Sequence, residues 1–268
     1  MSLRHAPWET AAEFAIGLRP IAPEDWLEGG EADPALRKDP LLAAHPHLVW
    51  AEAPGSRPAQ TEALEMVAEA LQASIDPEHR PPLLAAARKV ADDLCLMEKR
   101  AGAWRLTALS LSAGTFFTAS EVVGRSLAEL HGPVPGFEAS LLARVARIFD
   151  GLREGLILER RNWTVVNSPA LFAPSSAPIR ARIGDIDPDR AGEALFGRVE
   201  RQTLRRLPRT GAALFTIRVW TDPLSRIAAD PTRLEAFAKA WRAATPEFRA
   251  YKRLDLYDAL VARLIDGP

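Results

Sequence analysis

The period of the apolar residues changes twice along this chain, and the order of the changes restricts its fold more than any other feature. Residues 94–99 and 104–111 alternate as short strands, joined by Arg100-Ala-Gly-Ala103, a hairpin loop containing glycine. Helical spacing follows over about 118–131 and 137–158. Strand patterns return at 162–166, 199–207 and 212–220, the last two joined by Pro208-Arg-Thr-Gly211. Between them, 169–198 is dense in turn residues and reads as a loop with a short helix. Two strands, then helices, then three strands predict an α+β fold: a five-stranded antiparallel sheet with the central helices folded across one face. Helical patterns at 60–73 and 83–93 precede this unit, and others at 233–243 and 251–265 follow it. Residues 1–60 hold many prolines together with Trp8, Trp26 and Trp50. They read as an irregular arm that packs its tryptophans onto a single domain spanning 61–268.

One histidine sits in an unusual setting, Leu127-Ala-Glu-Leu-His131-Gly-Pro-Val-Pro135. Gly132 and Pro133 stop the preceding helix and leave His131 on its last turn. A neutral imidazole fixed in this way is a good axial ligand for iron. A histidine at a helix C-terminus is also favoured by the helix dipole alone, and the local sequence leaves both readings open. Composition narrows the field. Acidic and basic residues number 35 and 34, for a net charge of −1, so no global field points to nucleic acid or to an acidic membrane. No apolar run reaches the length of a membrane span, and Met1-Ser-Leu-Arg-His-Ala-Pro-Trp-Glu is no apolar signal segment, so a cytoplasmic location is expected. The one cysteine, Cys95, excludes an intrachain disulfide, a four-cysteine iron–sulfur cluster and a cysteine-rich zinc site. There is no Gly-x-Ser-x-Gly elbow, no phosphate loop and no Gly-x-Gly-x-x-Gly after a strand.

The fourth expected strand is unusually polar. Alternation puts Glu200, Gln202 and Leu204 on one face and Val199, Arg201 and Thr203 on the other. One reading is an edge strand with a solvated face and cross-strand ion pairs. The other is a polar cluster bordering a cofactor pocket, where Arg201 and Gln202 donate to bound oxygen and Glu200 accepts from an ammonium; all three share a pocket only if a bulge intervenes. Arg161 and Arg205 are candidates for a carboxylate partner, and Arg161 equally for an ion pair with Glu159. Trp163 reads most simply as a core aromatic. Phe215, Ile217 and Val219 alternate as an apolar wall, Cys95 as a small core residue, and His45 and His47 as loop residues.

Five blocks in one order carry a family resemblance: Asp93-Leu-Cys-Leu-Met97, Trp104-Arg-Leu-Thr-Ala108, Leu130-His-Gly-Pro-Val-Pro135, Arg161-Asn-Trp163, and the long run from Arg198 to Arg218. Together they resemble the alpha-subunit family of the haem-dependent oxidative N-demethylases, the dimethylamine monooxygenase type, over roughly 90–265. The resemblance implies a PAS-like sheet that holds haem b. Taken with the reading of the residues above, His131 is expected on the iron, Arg161, Trp163 and Arg205 around the cofactor, and Glu200, Arg201 and Gln202 as the catalytic cluster. The resemblance also implies oxidative removal of a methyl group from a small secondary amine with oxygen. Electrons from NADPH would arrive through a separate flavin and iron–sulfur reductase. Two other functions fit the same fold: a haem-PAS sensor of gas or small molecules, and a haem-free interaction protein. The run Ser112-Ala-Gly-Thr-Phe-Phe117 departs from the family pattern, as does Val123, where a lysine is expected.

Overall fold

The computed structural model describes residues 6–9, 17–132 and 139–267, without the side chains of residues 9, 131 and 139–141. Its strands are β1 (Arg19–Ile21), β2 (Trp50–Glu52), β3 (Asp93–Arg100), β4 (Ala103–Ser110), β5 (Ile157–Val166), β6 (Phe196–Arg206) and β7 (Ala213–Pro223). They form one antiparallel sheet in the order β1-β5-β6-β7-β3-β4-β2. The expected five strands are the five central ones, and the sheet has seven. The two additions come from the first sixty residues. β1 pairs with β5 through Arg19↔Glu159, and β2 pairs with β4 through Trp50↔Ser110. Three residues are too few to show an alternating pattern, but they are enough to cover part of an open sheet edge.

The helices that matter for the argument are α1 (Ala35–Ala44), α2 (Arg57–Ala70), α3 (Pro82–Ala87), α4 (Ala119–Val122), α5 (Leu127–His131), α6 (Ala139–Asp150), α7 (Pro231–Ala243), α8 (Pro246–Lys252) and α9 (Asp258–Asp266). The region expected to be irregular thus contains α1, β1 and β2 and starts α2. Buried Lys38 ties α1 to the sheet by donating to the Ala87 and Asp92 carbonyls at 2.8 and 2.5 Å.

The sheet is covered on both faces. On the front, α4, α5 and α6 pack Val122, Leu127 and Phe149 against Cys95, Leu109 and Leu204. On the back there are two clusters. Leu64 and Val67 of α2 and Leu83 of α3 cover Leu94, Leu96 and Leu214. Phe237 and Trp241 of α7, Phe248 of α8 and Val261 of α9 cover Trp163, Val165 and Val199. Burial of these apolar surfaces, at ~25 cal/mol per Å², is the main force holding the layers.

Two of the expected helices are broken, and each break has a local cause. The helix expected at 118–131 divides because Gly124 takes φ +81° and its N–H bonds the Leu106 carbonyl at 2.7 Å, while Leu106 N–H bonds the Arg125 carbonyl at 2.9 Å. Chain here pairs with β4 before a second helix starts. The helix expected at 251–265 is interrupted by Arg253 in the left-handed region, at φ +53°. The helix expected to end at 158 stops at Asp150, and Gly155 at φ +75° turns the chain so that β5 begins at Ile157.

Candidate functional site

The registers of β5, β6 and β7 run without a shift and decide what shares a face. Arg160 lies opposite Gln202, which lies opposite Ile217; Asn162, Glu200 and Val219 form the next rung. Leu158, Leu204 and Phe215 form the rung before, and all three belong to the front cluster. Alternation therefore places Glu200, Gln202 and Arg160 on the front face, the face on which α5 also packs. The odd-numbered set faces the other way. Arg201 and Arg161 share a back-face rung, Trp163 sits opposite Val199 in the back cluster, and Arg205 follows in parity.

The back-face residues have structural partners. The Arg201 side chain is 1% exposed; its Nε donates to Glu159 Oε2 at 2.5 Å, and its Nη atoms donate to the Trp26 and Asp25 carbonyls at 2.8 and 2.5 Å. Arg161 Nε lies 3.4 Å from Glu159 Oε1. Arg205 stacks its guanidinium 4.1 Å from the centre of the Trp26 ring. Trp163 is packed among Trp8, Phe237 and Phe248 at centroid distances of 6.0, 6.0 and 5.6 Å. The predicted cluster is split: without a bulge, Arg201 does not join Glu200 and Gln202, and Arg161, Trp163 and Arg205 stand on the face opposite them.

His131 closes α5, and its side chain lies outside the described residues, as do Pro133 and Pro135. The position of its backbone is well anchored. Ser126 and Glu129 form a reciprocal cap: Ser126 N–H donates to Glu129 Oε2 at 2.7 Å, and Glu129 N–H donates to Ser126 Oγ at 3.3 Å. Leu127 and Leu130 then pack the helix onto the front cluster that includes Leu204, Phe215 and Ile217. The structure thus brings the helix bearing His131 to the same face as Glu200 and Gln202.

Around Glu200 the front face is charged. Thr115 Oγ1 donates to Glu200 Oε1 at 2.6 Å, and Gln202 Nε2 donates to Oε2 at 3.0 Å. Buried Arg198 fixes that threonine: its Nε donates to Thr115 Oγ1 at 2.9 Å, and its Nη atoms donate to the Ala113, Ala170 and Leu171 carbonyls at 2.7–3.0 Å. Burial pushes the Glu200 carboxyl up. Lys252, the Thr115 hydroxyl, Arg198 and Gln202 together outweigh burial and hold it below the usual carboxylate range. Each carboxylate oxygen retains a lone-pair direction beyond the bond it accepts. Lys252 and Tyr251, at the end of α8, lie close enough for their charges to interact with Glu200. Burial draws the Lys252 ammonium down to about 8, against the pull of Glu200. Burial also raises the Tyr251 phenol, and Glu200 adds to the rise.

Sequence reasoning missed Arg160, Thr115, Arg198, Lys252 and Tyr251 as parts of one site. Arg160 carried a signal, since it shares parity with Gln202 once β5 and β6 are in register; Lys252 and Tyr251 carried none, because only tertiary packing brings α8 there. Among the described residues no group of three or more histidine, cysteine, aspartate or glutamate side chains could hold a metal ion, and no helix is long and apolar enough to cross a membrane. Residues 70–262, more than half of the chain, match the family described as haem-dependent oxidative N-demethylase, alpha subunit-like.

Proposed function

This chain belongs to the haem-dependent oxidative N-demethylase alpha-subunit-like family, and on that premise we propose that it is the haem-binding oxygenase subunit that removes a methyl group from a small secondary amine. The observation that carries the reading is Glu200: a carboxylate held below its usual range on a half-buried sheet face, with acceptor capacity to spare, on the same face of the sheet as the helix that ends in His131. Haem b would draw on the apolar front-face residues Leu158, Phe215 and Ile217, on the cationic side chains near Glu200, and on His131, the ligand the sequence offers to iron. The five central strands, with helices between the second and third in chain order, agree with a PAS-like core.

When bound, haem supplies the iron at which oxygen is activated. The chain's own residues bind and orient the amine. Glu200 accepts hydrogen bonds from the ammonium, Thr115 and Gln202 fix the carboxylate rotamer, and Arg198 holds the 113–115 segment so that Thr115 stays in reach. The apolar front-face residues exclude water from the methyl groups. Lys252 Nζ, drawn down to about 8, is the proton-holding atom of the cluster that titrates nearest neutrality. Two electrons would be supplied by a reductase component, since the one cysteine within these 268 residues cannot hold a four-cysteine iron–sulfur cluster.

The test is an absorption titration. Purified chain given hemin develops a Soret band, and His131→Ala abolishes or shifts it. Dimethylamine then perturbs that band, and Glu200→Gln weakens its binding about tenfold or more, the scale of a lost hydrogen bond to a charged group. A wild type that takes up no hemin overturns the haem reading. An unchanged amine response in haem-loaded Glu200→Gln overturns the role of Glu200.

A further inference from the structure

The front face holds more positive charge than its own residues neutralise. Arg160, Arg198 and Lys252 surround one carboxylate, Glu200, which is already engaged by Thr115 and Gln202. Arg198 spends its guanidinium on Thr115 and three loop carbonyls, and also feels Asp93. Arg160 is different. Its Nε is buried and makes no hydrogen bond among the described residues. The charges that act on it are those of Glu200 and Tyr251, from a distance. Lys252 has an aromatic neighbour, with its Nζ 4.9 Å from the centre of the Tyr251 ring. A buried guanidinium donor with no acceptor carries a desolvation cost that an anion relieves.

We propose that Arg160, assisted by Lys252, is a receptor for a ligand carboxylate. Charge favours that chemistry over a phosphate. A guanidinium fork matches either group. The neighbouring Glu200 repels a dianion more than a monoanion. Leu158, Phe215 and Ile217 beside it suit an acid group carried on an apolar body. Two sources supply such a group: a haem propionate, or the acid group of a substrate that also offers an amine to Glu200. The second would make the substrate an N-methylated amino acid instead of a simple dialkylamine. The proposal rests on the haem reading only for the first source.

The experiment compares probes with and without the carboxylate, in wild type and in Arg160→Gln. Hemin and hemin dimethyl ester are titrated into haem-free protein. N-methylglycine and dimethylamine are titrated by calorimetry into haem-free protein and by Soret shift into the hemin-loaded form. Wild type prefers one carboxylate probe over its carboxylate-free counterpart by about tenfold or more, and Arg160→Gln removes that preference while binding of the counterpart is unchanged. Loss of the hemin preference assigns the site to a propionate; loss of the N-methylglycine preference assigns it to the substrate. Arg160→Lys restores part of the preference as a point charge, and Lys252→Gln reduces it if Arg160→Gln fails to fold. A wild type with no preference in either pair, or a preference that survives both Arg160→Gln and Lys252→Gln, overturns the proposal. A wild type that binds neither hemin nor its ester sinks the haem reading alone, because the N-methylglycine comparison in haem-free protein still tests the receptor.

Discussion

Replacing Arg201 with glutamine should unfold the protein earlier without touching the front-face site. The side chain is 1% exposed and faces a Glu159 side chain that is 2% exposed. Its three hydrogen bonds go to Glu159 and to the carbonyls of Asp25 and Trp26, so it fastens the 25–26 turn to the back of the sheet. Truncating one member of a buried pair leaves the other charge uncompensated, at about 3–5 kcal/mol. Arg19 at 2.8 Å and Arg161 at 3.4 Å remain near Glu159, but both are more exposed, which puts the effect toward the lower figure. For a chain of this size each kcal/mol is worth roughly 2–4 °C of melting temperature, so a fall of roughly 6–12 °C is expected. The pH dependence has a definite sign. Burial raises the Glu159 carboxyl, and Arg19 and Arg201 more than reverse this, so its folded value lies below the ordinary one. Its contribution is present above the ordinary carboxylate range and is lost as pH falls through the folded value. The gap between wild type and Arg201→Gln should therefore narrow on acidification. Pairing the change with Glu159→Leu should recover part of the loss, as apolar replacement of both partners often does. Thermal melts by circular dichroism, together with amine-induced Soret changes measured well below the melting point, decide the matter. A variant that melts like wild type yet no longer responds to amine would refute this reasoning and return Arg201 to the site.

Two further outcomes follow from the front face. The affinity of a protonated amine for Glu200 should rise as pH passes upward through about 8, because Lys252 then loses the charge that competes for the carboxylate; Lys252→Met should flatten that rise, as read from amine titrations between pH 7 and 9. Gly114→Ala should destabilise by ~1–3 kcal/mol and blunt the amine response, since a Cβ there would lie 2.7 Å from Leu111 Cδ2 and 3.1 Å from the Phe117 carbonyl, pressing on the segment that carries Thr115; unchanged melting would show that the segment gives way freely.

How much of the fold and the site is legible in the sequence depends on the range of the information. The strands at 94–99, 104–111, 199–207 and 212–220 are readable because alternation is local and each is long enough to show it. β1 and β2 are not, because three residues carry no period and their pairing is a tertiary fact. The break at Arg253 is hidden because a non-glycine residue in the left-handed region has no clear sequence mark. For the site, parity is the usable signal. Alternation along one strand is enough to separate Glu200 and Gln202 from Arg201. The same parity, carried through the Arg161↔Arg201 rung, sends Arg161, Trp163 and Arg205 to the back; that step needs the register of β5 against β6.

The stretch Ser112 to Phe117 is not peripheral. Thr115 from this stretch donates to Glu200, and Arg198 grips the stretch at Ala113 and Thr115. Asp93 fixes its start by accepting from Ser112 N–H, Ser112 Oγ and Ala113 N–H at 2.6, 2.7 and 2.8 Å. A segment fixed by Asp93 and Arg198 and carrying a side chain onto the Glu200 carboxylate is a wall of the candidate site, and its sequence sets what the wall presents. The strands and the helical layer follow from the fold, whereas on the proposed reading the choice of ligand would depend on what this wall presents to Glu200. Exchanging Ala113-Gly-Thr115 is therefore expected to change ligand selectivity, while exchanging the more deeply buried Arg201 is expected to change stability.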